Sequence, residues 1–138
     1  MSLPTPHVRA QIEAMQAKIM NAPQATFPIT HYFSKGVYAR EMFLPAGSLV
    51  VGKIHKHENL NIISRGRVSF FSIDGKSSVS APHTFVGSVG AKRVIYAHED
   101  TVWTTIHGTF ETNLDLIEQN FIAKDYSEVS GVDEEELK

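Results

Sequence analysis

The sequence predicts an all-β domain, a barrel or sandwich of short strands with a helix at each end. Three observations predict it. Between Val37 and His107, short runs of β-branched and aromatic residues recur, each stopped by Gly, Pro, Asp or Ser. Asp74-Gly75, inside that region, is a strong hairpin signal. Helical periodicity falls outside it, at Val8, Ile12, Met15 and Ile19 and again at Leu114, Ile117 and Phe121.

The first helix is expected from about His7 to Met20, with Thr5 as cap, Pro6 in the first turn and Asn21-Ala22-Pro23 as the stop. Its apolar stripe has to pack against the domain or a partner subunit. Strands are then expected at Val37 to Leu44, Leu49 to Ile54, Leu60 to Ser64 and Val68 to Ile73. Four more follow at Ser77 to Ser80, Thr84 to Val86, Arg93 to Ala97 and Thr101 to His107. Pro45-Ala46-Gly47 and Arg65-Gly66-Arg67 mark turns between them. Thr112 or Asn113 can cap the second helix, and Glu111, Asp115 and Glu118 suit the positive end of its dipole. The resulting organisation is one domain: a leading segment with the first helix (1–36), a β region (37–110), the second helix (111–125) and an acidic tail (126–138) expected to be disordered.

Composition excludes several classes of function. The 138 residues suffice for one core, with 42% hydrophobic and 20% charged residues. There are no cysteines, so neither a disulfide framework nor a thiolate metal site is available. A net charge of −2 with scattered basic residues gives no electrostatic reason to bind nucleic acid. No apolar run reaches membrane-spanning length. Met1 to Pro6 lacks the basic-then-apolar order of a secretory signal, so a cytoplasmic location is expected. Gly87-Ser88-Val89-Gly90 lacks the helix that follows a nucleotide-binding loop, and no nucleophile-turn context surrounds any serine.

His55-Lys56-His57 is the main chemical signal. Two histidines two apart on an extended strand point to one face, and two converging imidazoles begin a divalent-metal site. Asn59 and Asn61 share the parity of His57 and could face the same hollow, as ligand-binding amides or as amides satisfied by backbone. Further ligands could come from Asn61, His98 or His107. His98, beside Glu99 and Asp100, reads first as part of an exposed polar loop and only second as a ligand, and His107 falls at the barrel mouth or outside. Tyr96 and Trp103 could line a ligand cavity or fill a core. His7, His31 and His83 carry no spacing signal and read as structural or surface residues.

The order of these elements resembles the cupin superfamily, the RmlC-like double-stranded β-helix or jelly-roll barrel. In the first cupin motif, His55-Lys56-His57 matches the His-x-His, Asn61 stands where the family has Glu, and Gly66 follows after four residues rather than six. In the second, Gly90 matches the Gly of Pro-x-Gly, Arg93 stands where the third metal histidine would be, and Ala97 replaces Asn. With its leading helix and the run Ala81-Pro82-His83-Thr84-Phe85-Val86, the chain is also similar to small cupin-like proteins of bacteriophage genomes.

The resemblance implies a single cupin barrel over residues 37–110. It implies a divalent metal (Zn, Ni, Fe or Mn) drawn from His55, His57, Asn61 and His98, with no catalytic residue identified. Its departures point elsewhere. A neutral amide is a weaker ligand than a carboxylate, and Arg93 would repel a cation and favour an acidic ligand unless it pairs with Glu99 or Asp100. The expectation is therefore a protein that binds a small polar or acidic molecule through Arg93, Asn59, Asn61 and Tyr96. Alternatives are a metal-dependent dioxygenase or isomerase, and a structural or interaction module of a phage. Exposed sheet edges and the amphipathic first helix make a homodimer the expected assembly.

Overall fold

The computed structural model describes residues 10, 27–52, 54–72, 75–90 and 92–123. The expected first helix, residue 10 apart, and the acidic tail lie outside the described residues. In chain order the elements are β1 (Ile29–Ser34), β2 (Val37–Leu44), β3 (Leu49–Val51), β4 (Ile54–His55), β5 (Asn59–Arg65) and β6 (Arg67–Ser72). They continue with β7 (Gly75–Ser80), β8 (His83–Gly87), β9 (Val94–Ala97), β10 (Thr101–Gly108), α1 (Leu114–Phe121) and β11 (Ile122–Ala123).

Two antiparallel sheets face each other. One has five strands in the order β1-β2-β10-β5-β8, the other four in the order β3-β9-β6-β7. Strands close in sequence pass from one sheet to the other, as in a jelly roll. Among the described residues no ladder joins the two sheets, so the expected barrel is an open pair of sheets rather than a continuous hydrogen-bonded cylinder. The two-residue strands β4 and β11 form a separate ladder.

Alternation along each strand decides what lies between the sheets. Leu44, Ile63 and Trp103 from the larger sheet meet Val68, Ile95 and Ala97 from the smaller one in a buried cluster. Phe70, Phe85 and Trp103 pack there at ring separations of 5.6–6.0 Å. Gly66, at φ +95°, joins β5 to β6 where a side chain would run into the Asp100 carbonyl and the Thr101 hydroxyl. Glycine is therefore required twice over, by conformation and by space.

Three elements differ from the sequence reading. Ile29–Ser34, within the leading segment, is the edge strand β1, and all six of its residues are exposed. The run Leu49 to Ile54 is interrupted after Val51 and resumes only as β4. The second helix is shorter than expected, because Asn113 caps it by accepting from the Asp115 and Leu116 amides and the chain turns extended at Ile122.

Candidate functional site

The register of the five-stranded sheet sets out the site. His31, Arg40, Thr105, Asn61 and Phe85 are Cα partners in turn across β1, β2, β10, β5 and β8. The next inward-facing row along these strands includes Phe33, Tyr38 and His107. Side chains two apart share a face, so both rows point toward the inside. A cavity of about 390 Å³ opens there. Its polar lining includes Arg40, Arg93, His55, His107, Asn61 and Thr105; its apolar lining includes Met42, Ile95, Trp103, Ile117 and Phe121.

The C-terminal elements close one side. Ile122 pairs with His55 and Ala123 with Ile54, and the Lys56 amide donates to the Phe121 carbonyl at 2.8 Å. The Lys56 ammonium donates to the Gln119 carbonyl, also at 2.8 Å. These bonds lay α1 against the cavity, bury Ile117, and bring the Phe121 ring to 4.6 Å from that of His107.

His55 and His107 stack at 5.8 Å, and Tyr38 also stacks with His107, at 6.2 Å. The Nδ1 atoms of both histidines are buried, with no hydrogen-bond partner among the described residues. Burial pushes the His55 pKa down to about 4, helped by the charges of His107, Arg93 and Arg40. Burial first, then His57 and Arg40, lowers that of His107 to about 4 as well. Both imidazoles are thus neutral at pH 7. Burial also raises the Tyr38 phenol, with Arg40 opposing, and that hydroxyl lies 2.7 Å from His31 Nδ1.

Asn61 is held by three bonds. Its Oδ1 accepts from Trp103 Nε1 at 2.9 Å and from the Thr105 hydroxyl at 3.1 Å. Its Nδ2 donates to Asn59 Oδ1 at 2.6 Å, and Asn59 in turn donates to the His57 carbonyl at 3.3 Å. Gly87 makes room for the pair, since a Cβ there would meet both amide groups. Arg93 lies 5.2 Å over the ring of Phe85, within cation–π range. Asp100, considered as its partner, instead lies 3.7 Å from Arg65.

Of the residues singled out in the sequence, His55, Asn61 and Arg93 come together at this cavity. His57 does not line it: the chain bends after His55, the His57 side chain is exposed, and its ring meets Phe121 edge-on at 5.6 Å. His98 sits beyond β9, 2.6 Å from the Ser69 hydroxyl, and Tyr96 is on the outer face against it. Asn59 supports Asn61 and is not part of the lining. Among the described residues no group of three or more His, Asp or Glu side chains could hold a metal ion. The four donors expected from the sequence do not fit a metal centre, because two lie elsewhere and the oxygen of Asn61 already accepts two hydrogen bonds.

Arg40, Tyr38, Thr105, His107, His31 and the carboxylate of Glu118 complete the polar lining. Arg40 carried an unread signal: it shares the parity of Tyr38, Met42 and Leu44, so a cation stood on the core face of a strand.

No protein-family model matches the sequence, and no curated protein matches it. Solved structures resemble the fold. Ectoine synthase from P. lautus superposes with a TM-score of 0.57 at 8% identity, over 84% of this chain and 94% of that one. A cupin superfamily protein from Desulfitobacterium hafniense gives 0.53 at 14% identity, over 67% and 85%. A double-stranded β-helix protein from Klebsiella pneumoniae gives 0.54 at 7% identity, over 70% and 84%. At such identities these likenesses show a cupin fold and nothing about chemistry. Among the described residues no helix is long and apolar enough to cross a membrane.

Proposed function

We propose that this cupin-fold chain binds a small organic anion, an apolar body carrying a carboxylate or phosphate, in the cavity between its sheets. The observation that carries the reading is that Arg40 and Arg93 line one mostly apolar hollow of about 390 Å³, a size suited to a small molecule. A guanidinium offers paired donors that match a carboxylate, and low-dielectric walls strengthen the attraction. Asn61, fixed by Trp103 and Thr105, gives the wall a rigid polar point. His55 and His107, kept neutral, can donate or accept a hydrogen bond to the ligand without adding charge.

The test is thermal shift and calorimetric titration with benzoate, succinate and inorganic phosphate, each organic acid paired with its neutral amide. An acid should raise the melting temperature and its amide should not. Arg93→Met and Arg40→Met should each lower affinity by about tenfold or more, the worth of a charge-assisted bond. Equal binding of acid and amide, or no binding of any anion, overturns the reading.

The alternative is a metal-dependent enzyme, a dioxygenase or isomerase. The observation in its favour is the pair of buried Nδ1 atoms on His55 and His107, without a partner among the described residues. Elemental analysis decides: one equivalent of Zn, Ni, Fe or Mn, lost in His55→Ala/His107→Ala, supports it. Neither anion nor metal, together with a large stable assembly, would leave the fold as a scaffold. Among the described residues the outer edge of β1 is unpaired, which supports a homodimer, and sedimentation checks it.

A further inference from the structure

The two guanidiniums of the hollow enter it from different places. Arg40 stands on β2 of the five-stranded sheet, in the inward row that runs on through Thr105 and Asn61 to Phe85. Arg93 belongs to the segment before β9 of the facing sheet, where its carbonyl accepts from the Gly52 amide at 2.8 Å. Its guanidinium lies over the ring of Phe85, at 5.2 Å. Arg40 and Phe85 are three strand spacings apart, about 14 Å between Cα atoms. The imidazoles register the same separation. Arg93 and Arg40 both lower the His55 pKa, whereas of the two only Arg40 acts on that of His107.

The lining around that row is apolar or already satisfied. The Asn61 oxygen is taken by Trp103 and Thr105, and Met42, Ile95 and Trp103 add apolar surface. Glu118 brings its carboxylate from α1, a separate wall that meets His107 through Phe121. A single acidic group fills the donor fork of one guanidinium. When two guanidiniums stand apart across apolar surface, a second acidic group at the far end of the same ligand engages the other and adds a second charge-assisted pair. We propose that the ligand is a bis-acid, an apolar spacer with an acidic group at each end, one held by Arg40 and the other by Arg93. This rests on the anion-binding reading above and narrows it to a class.

Calorimetric titration of the full chain with glutarate, adipate and suberate, each beside its monoamide and its diamide, is the test. For at least one length the diacid should bind about tenfold or more tighter than the monoamide, the worth of the second charge-assisted bond. The monoamide should in turn bind tighter than the diamide. In Arg40→Met and in Arg93→Met, diacid and monoamide should bind alike, because each variant keeps one grip. A diacid advantage that survives either substitution overturns the proposal, since the second acidic group then binds elsewhere. The wild-type comparison decides even where a variant fails to fold. Diacid and monoamide binding equally there, both ahead of the diamide, overturns the bis-acid and leaves the anion reading standing. Equal binding of all three, or of none, overturns both.

Discussion

Acid should destabilise this protein through two specific side chains. His55 and His107 titrate at about 4 in the folded chain and at about 6.5 once unfolded. Above about pH 6.5 both states are neutral there, and the two groups contribute nothing to the pH dependence. As pH falls through that value the unfolded chain takes up protons that the folded chain refuses, so stability drops, and the loss is complete below about 4. From about pH 7 to about pH 5, each imidazole should remove roughly 2 kcal/mol, and the pair about 3–4 kcal/mol. That is a large share of the 5–15 kcal/mol or so that holds a domain together. The charges that face the pair come from Arg40 on β2, Arg93 before β9, and His57, with Glu118 of α1 in the same lining. Urea unfolding at stepped pH, with chelator present, measures the slope. His55→Gln/His107→Gln should flatten it between pH 5 and pH 7, and NMR titration of the wild type should place both rings well below the ordinary imidazole value. Equal slopes in the two proteins, or rings titrating near 6.5, would refute the burial argument.

Three further outcomes follow from the same geometry. Asn61→Leu strands the indole N–H of Trp103 and the Thr105 hydroxyl without their acceptor, and should cost about 1–3 kcal/mol in denaturant unfolding with a shift in Trp103 emission. Gly87→Ala drives a methyl group into the Asn59–Asn61 pair, and should cost about 1–3 kcal/mol by the same assay; a neutral effect would show that the amides can move aside. Phe121→Ala removes the ring that covers His107, so the His107 pKa should rise toward the ordinary imidazole value by NMR.

The fold was legible because strand alternation and turn residues repeat many times over. Val68, Ile95 and Trp103 each fell on strands that the pattern marked, and the β6–β7 hairpin followed from Asp74-Gly75. β1 was missed because it is exposed along its length and lacks the half-buried alternation that marks the others, and the two-residue β11 because it falls inside the span expected for the second helix. The candidate site was harder to read, because a motif in the sequence assumes an unbroken strand beneath it. His55 and His57 share a face only if the strand runs straight through Lys56. It ends at His55, where β11 pairs with it, and the second imidazole turns out to solvent. The group that joins His55 is His107, more than fifty residues on, and no local spacing could announce that meeting. Its parity with Trp103 could: both stand on the inward side of β10, as Arg40 stands on the inward side of β2 with Tyr38 and Met42. The most informative reading of such a chain is therefore the polar residue on an apolar face. Shifted by one residue, the same count gives the outward row Tyr32, Ala39, Ile106, Leu60 and Val86. Period-two alternation, once the register is known, thus separates the residues of one sheet that line the charged hollow from those that face away from it.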